Sequence, residues 1–156
     1  MTGACYWISI LLNRVLAKEY GIESDVVLGW IHDGDNLFIS HAWLEMRGKK
    51  TDLMAERPGV DSSKRGPTIV LDYIFKGASN TMYSYHLDKT PEALAKDEEE
   101  IAADPTFLAR LRAKDKEHAR IARAIASDAA KDASLAEYVD PDGESHVYAM
   151  TLEIIR

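Results

Sequence analysis

Residues 37–53 read LFISHAWLEMRGKKTDL, and their reading decides the fold. The run from Leu37 to Arg47, rich in apolar and aromatic residues and lying between an Asp-Gly turn and Gly48, predicts a returning strand. Gly48 permits a turn, and 50–54 begins a further strand. On the first of these strands Ile39, His41, Trp43 and Glu45 share one face. If Arg47 and Gly48 are the two turn residues, Asp52 pairs opposite Trp43 and lies diagonal to His41. Diagonal neighbours stand about 7–8 Å apart at the backbone, within side-chain reach. Any two-residue turn keeps Asp52 on the His41 face, whereas a three-residue turn flips it away. The stretch therefore predicts an antiparallel hairpin that brings an imidazole and a carboxylate together.

Upstream, 25–31 (DVVLGWI) is a second strand candidate, and the Asp-Gly within 32–36 closes it into a hairpin with the first. His32, Asp33 and Asp35 are read as that turn and not as a metal loop. Ahead of it, 5–20 predicts a helix with Ile8, Leu11, Leu12, Val15 and Leu16 as its apolar face, stopped by Gly21. Cys5 opens this helix. Free N–H groups and the positive end of the helix dipole favour a thiolate there, and the same N–H groups suit an oxyanion. Cys5, His41 and Asp52 thus combine the chemistry of a nucleophile, a general base and the carboxylate that orients it.

Downstream, Pro58, Gly59, Gly66 and Pro67 mark 55–67 as a loop. Segments 68–75 and 81–87 read as a pair of strands around 77–80. Thr90-Pro91-Glu92 and Asp104-Pro105 are helix starts. They predict a short helix to about 103 and then mostly one long helix over 105–138. Its buried stripe is Leu108, Leu111, Ile121, Ala122, Ile125 and Ala129. The acidic run 97–100 is a solvated helix face, and the basic stretch 110–123 a packing helix. A turn at 140–143 leads to a final strand over 146–155 (HVYAMTLEII).

The chain has 156 residues, 46% of them apolar and 29% charged, which suits one domain with its own core. That domain divides into a core over 1–88, a helical region over 89–140 and the final strand within 144–156. With 19 basic and 26 acidic side chains the net charge is −7, against a nucleic-acid binder. No apolar run reaches the ~20 residues of a membrane span, and no signal peptide is evident. One cysteine excludes an internal disulfide. The expectation is a cytoplasmic α+β protein with no membrane partner, no metal and no cofactor. The helical region offers a surface for a homodimer.

Gly3-Ala4-Cys5 opening a helix, the exit at Gly21-Ile22 into Val26-Val27-Leu28-Gly29-Trp30, then His41-Ala42-Trp43-Leu44-Glu45 and Thr51-Asp52-Leu53, resemble the transglutaminase-like cysteine-enzyme core. The close spacing is most similar to its compact bacterial members, including lasso-peptide leader peptidases. The resemblance spans residues 3–55. It implies a catalytic helix packed on an antiparallel sheet, with Cys5 as nucleophile, His41 as base and Asp52 as orienter. It also implies thiol-dependent hydrolysis or acyl transfer on a peptide or side-chain amide. Elements that the family places before the catalytic helix are not expected, because four residues precede Cys5. The sequence has no glutamine, the side chain that papain-like enzymes place in the oxyanion hole, so Tyr6, Trp7 or Trp43 would have to serve. The other class the sequence admits is a non-catalytic interaction module that docks through its helical half. Thiol reactivity near neutral pH separates the two.

Overall fold

The computed structural model describes residues 3–32, 38–55, 66–75 and 81–138. The architecture is α+β. Helix α1 (Ala4–Tyr20) leads into β1 (Asp25–His32), β2 (Phe38–Met46) and β3 (Lys49–Thr51). The short strands β4 (Ile69–Val70), β5 (Tyr73–Ile74) and β6 (Ser84–His86) follow. Three helices then close the described chain: α2 (Pro91–Ala103), α3 (Pro105–Ala124) and α4 (Asp128–Tyr138). The main sheet is antiparallel in the order β3-β2-β1-β6.

The β2–β3 turn is the two-residue one on which the sequence argument rests. Arg47 (φ 52°) and Gly48 (φ 72°) both take the left-handed region, as the tight turn that matches strand twist requires. Met46 then pairs with Lys49 and Leu44 with Thr51. Beyond Thr51 the strand is shorter than 50–54. Asp52 instead makes an isolated bridge to Ile69, with both backbone bonds formed at 2.7 and 2.9 Å.

Three other expectations are corrected. Segment 68–75 is not one strand but a small hairpin, turning at Leu71 and Asp72, both at positive φ. It does not pair with 81–87, whose strand β6 instead adds to the outer edge of β1. The long helix over 105–138 breaks after Ala124 into α3 and α4. The Ser127 hydroxyl accepts from the Ala130 N–H at 3.1 Å, an N-cap worth about 1 kcal/mol. Arg14 then holds α4 against α1 through Asp128 (2.6 Å) and Asp132 (2.9 Å). Of the expected stripe only Ile121 is buried; Leu108, Leu111 and Ile125 are partly buried, and Ala122 and Ala129 are exposed.

The apolar face of α1 is also rotated from the expected one. Tyr6, Trp7, Ile10, Leu11 and Val15 are buried, while Ile8, Leu12 and Leu16 are only partly so. Sheet and α4 cover this helix on different sides, so a single stripe does not describe it. One core cluster joins Tyr6, Trp7 and Ile10 of α1 to Ala42 of β2 and to Ile121 and Ala124 of α3. Ile121 is fully buried, which is worth roughly 1.5–3 kcal/mol. Trp7 stacks on Tyr138 of α4 with ring centroids 4.5 Å apart. The helical region is therefore continuous with the core of the sheet-bearing half. The starts of α2 and α3 are as the sequence predicts, with Thr90 and Asp104 as side-chain caps. The turns expected at 33–36 and 140–143, the centre of the 77–80 loop and the final strand lie outside the described residues, as do Asp33 and Asp35. Among the described residues no helix is long and apolar enough to cross a membrane.

Candidate active site

Cys5 lies in the first turn of α1, after Gly3, which takes the cap position at φ 92° with no side-chain cap. The thiol is half-buried and free. His41 and Asp52 are 2% and 1% exposed, so both lie within the protein. His41 Nε2 lies 2.8 Å from Asp52 Oδ2, and Cys5 lies near enough to the imidazole to help raise its pKa. The structure thus brings together all three residues singled out in the sequence.

The surroundings of Asp52 fix the proton on the ring. Tyr85 donates its hydroxyl to Oδ2 at 2.7 Å. The backbone N–H groups of Met54 and Ala55 donate to Oδ1 at 2.9 and 3.1 Å. An ionised carboxylate only accepts, so the fourth neighbour, His41 Nε2, is the donor. Nδ1 is then the ring nitrogen that Asp52 does not engage. The proton on Nε2 follows from the complete donor set around one buried side chain.

Electrostatics run the same way. Burial works against charge on His41, but the hydrogen bonds and negative charges of Asp52 and Cys5 overcome it and raise the imidazole to about 10. Burial also opposes ionisation of Asp52, yet His41, Tyr85 and the Met54 N–H hold it below the usual carboxylate range. Burial first, then the Asp52 charge, push the Tyr85 hydroxyl far up, so it remains a donor.

Aromatic rings wall the pair. Trp43 meets Tyr85 edge-on at 5.1 Å, and the Lys50 ammonium sits 3.6 Å over the Tyr85 ring. Gly29 lies opposite His41 on β1. A Cβ there would fall 2.3 Å from the His86 carbonyl oxygen and 2.8 Å from the Trp43 ring. The absence of a side chain at Gly29 is what lets β6 and Trp43 close over this face, and β6 carries Tyr85.

Behind the thiol a second chain of hydrogen bonds ties α1 to β2 and α3. Tyr6 donates to Ser40 Oγ at 2.7 Å, and Ser40 Oγ lies 2.8 Å from His118 Nδ1. Burial raises the Tyr6 hydroxyl to about 12. Burial, aided by the Lys89 charge and opposed by Asp115, lowers His118. A neutral His118 accepts from Ser40. Consecutive residues on the helix, Cys5 and Tyr6, thus engage consecutive residues on the strand, His41 and Ser40. Of the expected oxyanion donors, Tyr6 is committed to Ser40, and Trp43 Nε1 donates to Glu45 at 3.0 Å. The Cys5 turn itself supplies backbone N–H groups.

Sequence reasoning missed Tyr85, Ser40 and His118. The alternation of 81–87 marked Tyr85 as a strand residue, but only pairing to β1 places it against Asp52. No family model, curated protein or solved structure matches the chain.

Proposed function

We propose that the protein is a thiol-dependent hydrolase or acyl transferase acting on a peptide or side-chain amide. It would use a core of the transglutaminase-like kind. The observation that carries this reading is the ordered chain from the Met54 and Ala55 N–H groups and Tyr85 through Asp52 to His41 and on to Cys5. A carboxylate buried among four donors fixes the imidazole through Nε2 and leaves Nδ1 for the thiol, the arrangement a cysteine nucleophile needs.

In this reading His41, raised to about 10, holds the Cys5 proton on Nδ1 before substrate arrives, and the thiolate sulfur attacks the amide carbonyl. The carbonyl π electrons move onto oxygen, beside the N–H groups of the helix start. Collapse of the tetrahedral intermediate breaks the C–N bond, and His41 returns the proton to the leaving amine. Water, or a second amine, then attacks the thioester with His41 as base, and the thiol is restored. Whether water or an amine completes the cycle sets hydrolysis or transfer.

Cys5 is the only cysteine, so alkylation reports on it alone. Iodoacetamide at pH 6–7 is expected to modify the native protein faster than the urea-unfolded chain, since the thiolate is the reactive form. His41→Ala is expected to remove most of that advantage. Equal rates in native, unfolded and His41→Ala protein would overturn the reading in favour of an interaction module.

A further inference from the structure

One turn of α3 packs against residues that precede and follow Cys5. A Cβ on Gly3 would lie 3.1 Å from a Glu117 carboxylate oxygen, Tyr6 reaches His118 through Ser40, and Arg120 covers the Trp7 ring at 5.2 Å. The middle contact is a chain of hydrogen bonds at the border of the apolar cluster that Tyr6, Trp7 and Ile10 form with Ile121 and Ala124. Apolar packing tolerates small shifts of one helix on another, whereas directed bonds in such surroundings fix a single register. Tyr6 follows Cys5 on α1, and Ser40 precedes His41 on β2. The Tyr6–Ser40 bond therefore pins the two backbones one residue from the thiol and one residue from the imidazole.

The chain of bonds has one consistent direction. Tyr6 donates to Ser40 Oγ at 2.7 Å, which leaves the serine's own proton for His118 Nδ1, 2.8 Å away. That nitrogen accepts only while it carries no proton. The surroundings keep it bare: burial disfavours the charged ring, Asp115 on the same helix opposes this, and the Lys89 ammonium adds to it. Lys89 approaches from the segment ahead of α2, paired with Asp97 and 4.5 Å above the Trp30 ring. His118 stacks on that same ring at 5.1 Å. On the α1 side stands Tyr6, which is raised to about 12 and keeps its proton. Once Nδ1 is protonated, three protons face two contacts, and one donor is left without an acceptor. The strain is relieved by parting Ser40 from Tyr6 or from His118.

We propose that His118 is a positioning residue for the thiol chemistry: its unprotonated ring holds the Cys5 turn on β2 through Ser40 and Tyr6, and protonation releases that hold, so the site shuts down toward acid. His118 touches neither the thiol nor the His41–Asp52 pair and acts only through the serine. The inference rests on the thiol reading for its consequence at Cys5, but the hydrogen-bond chain it invokes can be measured without any chemistry there.

Iodoacetamide alkylation of Cys5 is followed from pH 4.5 to 7.5 in the native protein and in His118→Asn, His118→Phe and Ser40→Ala. An asparagine Oδ1 is bonded to Cγ as the histidine Nδ1 is, and it accepts at every pH. His118→Asn is therefore expected to match the native rate at pH 7.5 and to exceed it about fivefold at pH 4.5, the factor that one ordinary hydrogen bond sets. Everything else that depends on pH is common to both proteins and cancels in their ratio. His118→Phe keeps a ring for Trp30 but cannot accept, and Ser40→Ala cannot donate, so both are expected to be slower than native at pH 7.5 by about the same factor. Imidazole C–H resonances, with His118 assigned by their loss in His118→Asn, give its titration midpoint directly. The midpoint is expected to rise in Ser40→Ala, where the neutral ring loses its donor. An asparagine-to-native ratio that stays flat with pH, or a midpoint that Ser40→Ala leaves in place, would overturn the proposal. A Ser40-dependent midpoint with equal alkylation of native, unfolded and His41→Ala protein would uphold the hydrogen-bond chain and overturn the thiol reading instead.

Discussion

The substitution Asp52→Asn keeps the shape of the side chain and changes only what one of its ends can do. Every neighbour of the carboxylate is a donor: His41 and Tyr85 on one oxygen, the Met54 and Ala55 N–H groups on the other. An amide has one accepting end, so one pair of donors must face an NH2. If the NH2 turns toward Met54 and Ala55, two buried N–H groups lose their acceptor, at about 1–3 kcal/mol each. If it turns toward His41 and Tyr85, the ring can answer by moving its proton to Nδ1, and only the Tyr85 hydroxyl is stranded. The second arrangement is the cheaper one, and it places a proton where the Cys5 proton must go. Adding the lost charge-assisted bonds, we expect destabilisation of about 2–5 kcal/mol. At ~2–4 °C per kcal/mol for a chain of this size, melting should fall by roughly 5–20 °C. Alkylation of Cys5 by iodoacetamide at pH 6–7, read by mass at a temperature where the variant is folded, should drop to the His41→Ala rate. Wrong-tautomer variants of this type lose on the order of 10⁴ in turnover in serine enzymes. An asparagine variant that melts within about 2 °C of the native protein and alkylates with an unchanged pH profile would refute the donor-set argument.

The pH dependence of stability should carry the signature of the same pair. Asp52 is held below its ordinary 3.8, so its contribution is present above about pH 4 and lost as pH falls through the lower folded value. His41 is raised from 6.5 to about 10, so its contribution is complete below pH 6.5 and lost as pH rises through 10. Chemical denaturation of native and Asp52→Ala protein should therefore differ most between about pH 4 and 6.5, with the gap closing on both sides; a gap that widened toward pH 10 would contradict the assignment. Tyr85→Phe removes one donor from Asp52 without adding a competing one, and should cost about 1–3 kcal/mol in urea denaturation while sparing most of the alkylation advantage. Gly29→Ala should force β6 and Trp43 outward, with loss of several kcal/mol as for other overpacked sites, seen as a lowered melting temperature and raised hydrogen exchange at β6. Truncation after residue 88 should uncover Trp7, Ile10 and Tyr6 and cause aggregation; a soluble fragment 1–88 with a cooperative melt would show that the helices are accessory.

Local chemistry in the sequence already determined the hairpin and the parity that makes the site. Side chains alternate strictly along a strand, so a two-residue turn at Arg47-Gly48 was enough to put Asp52 on the His41 face, and Thr90-Pro91 and Asp104-Pro105 marked helix starts through the donors they satisfy. Cys5 was legible because a helix N-terminus is a local feature with a known field. What the sequence could not decide was everything that depends on which distant segments meet. Strand β6 could pair with 68–75 or with β1 on pattern alone; only the open edge of β1, and a glycine at position 29 that admits the His86 backbone, selected the second. That choice delivered Tyr85 to Asp52 and completed the donor set that fixes the ring proton. The break at Ser127 was likewise hidden, because the apolar spacing runs on through it while the turn is held by Arg14, more than a hundred residues away, clamping Asp128 and Asp132. Periodicity is a property of neighbours in the chain; the partner of a buried carboxylate and the point where a helix turns back are properties of contacts formed only when the chain is folded.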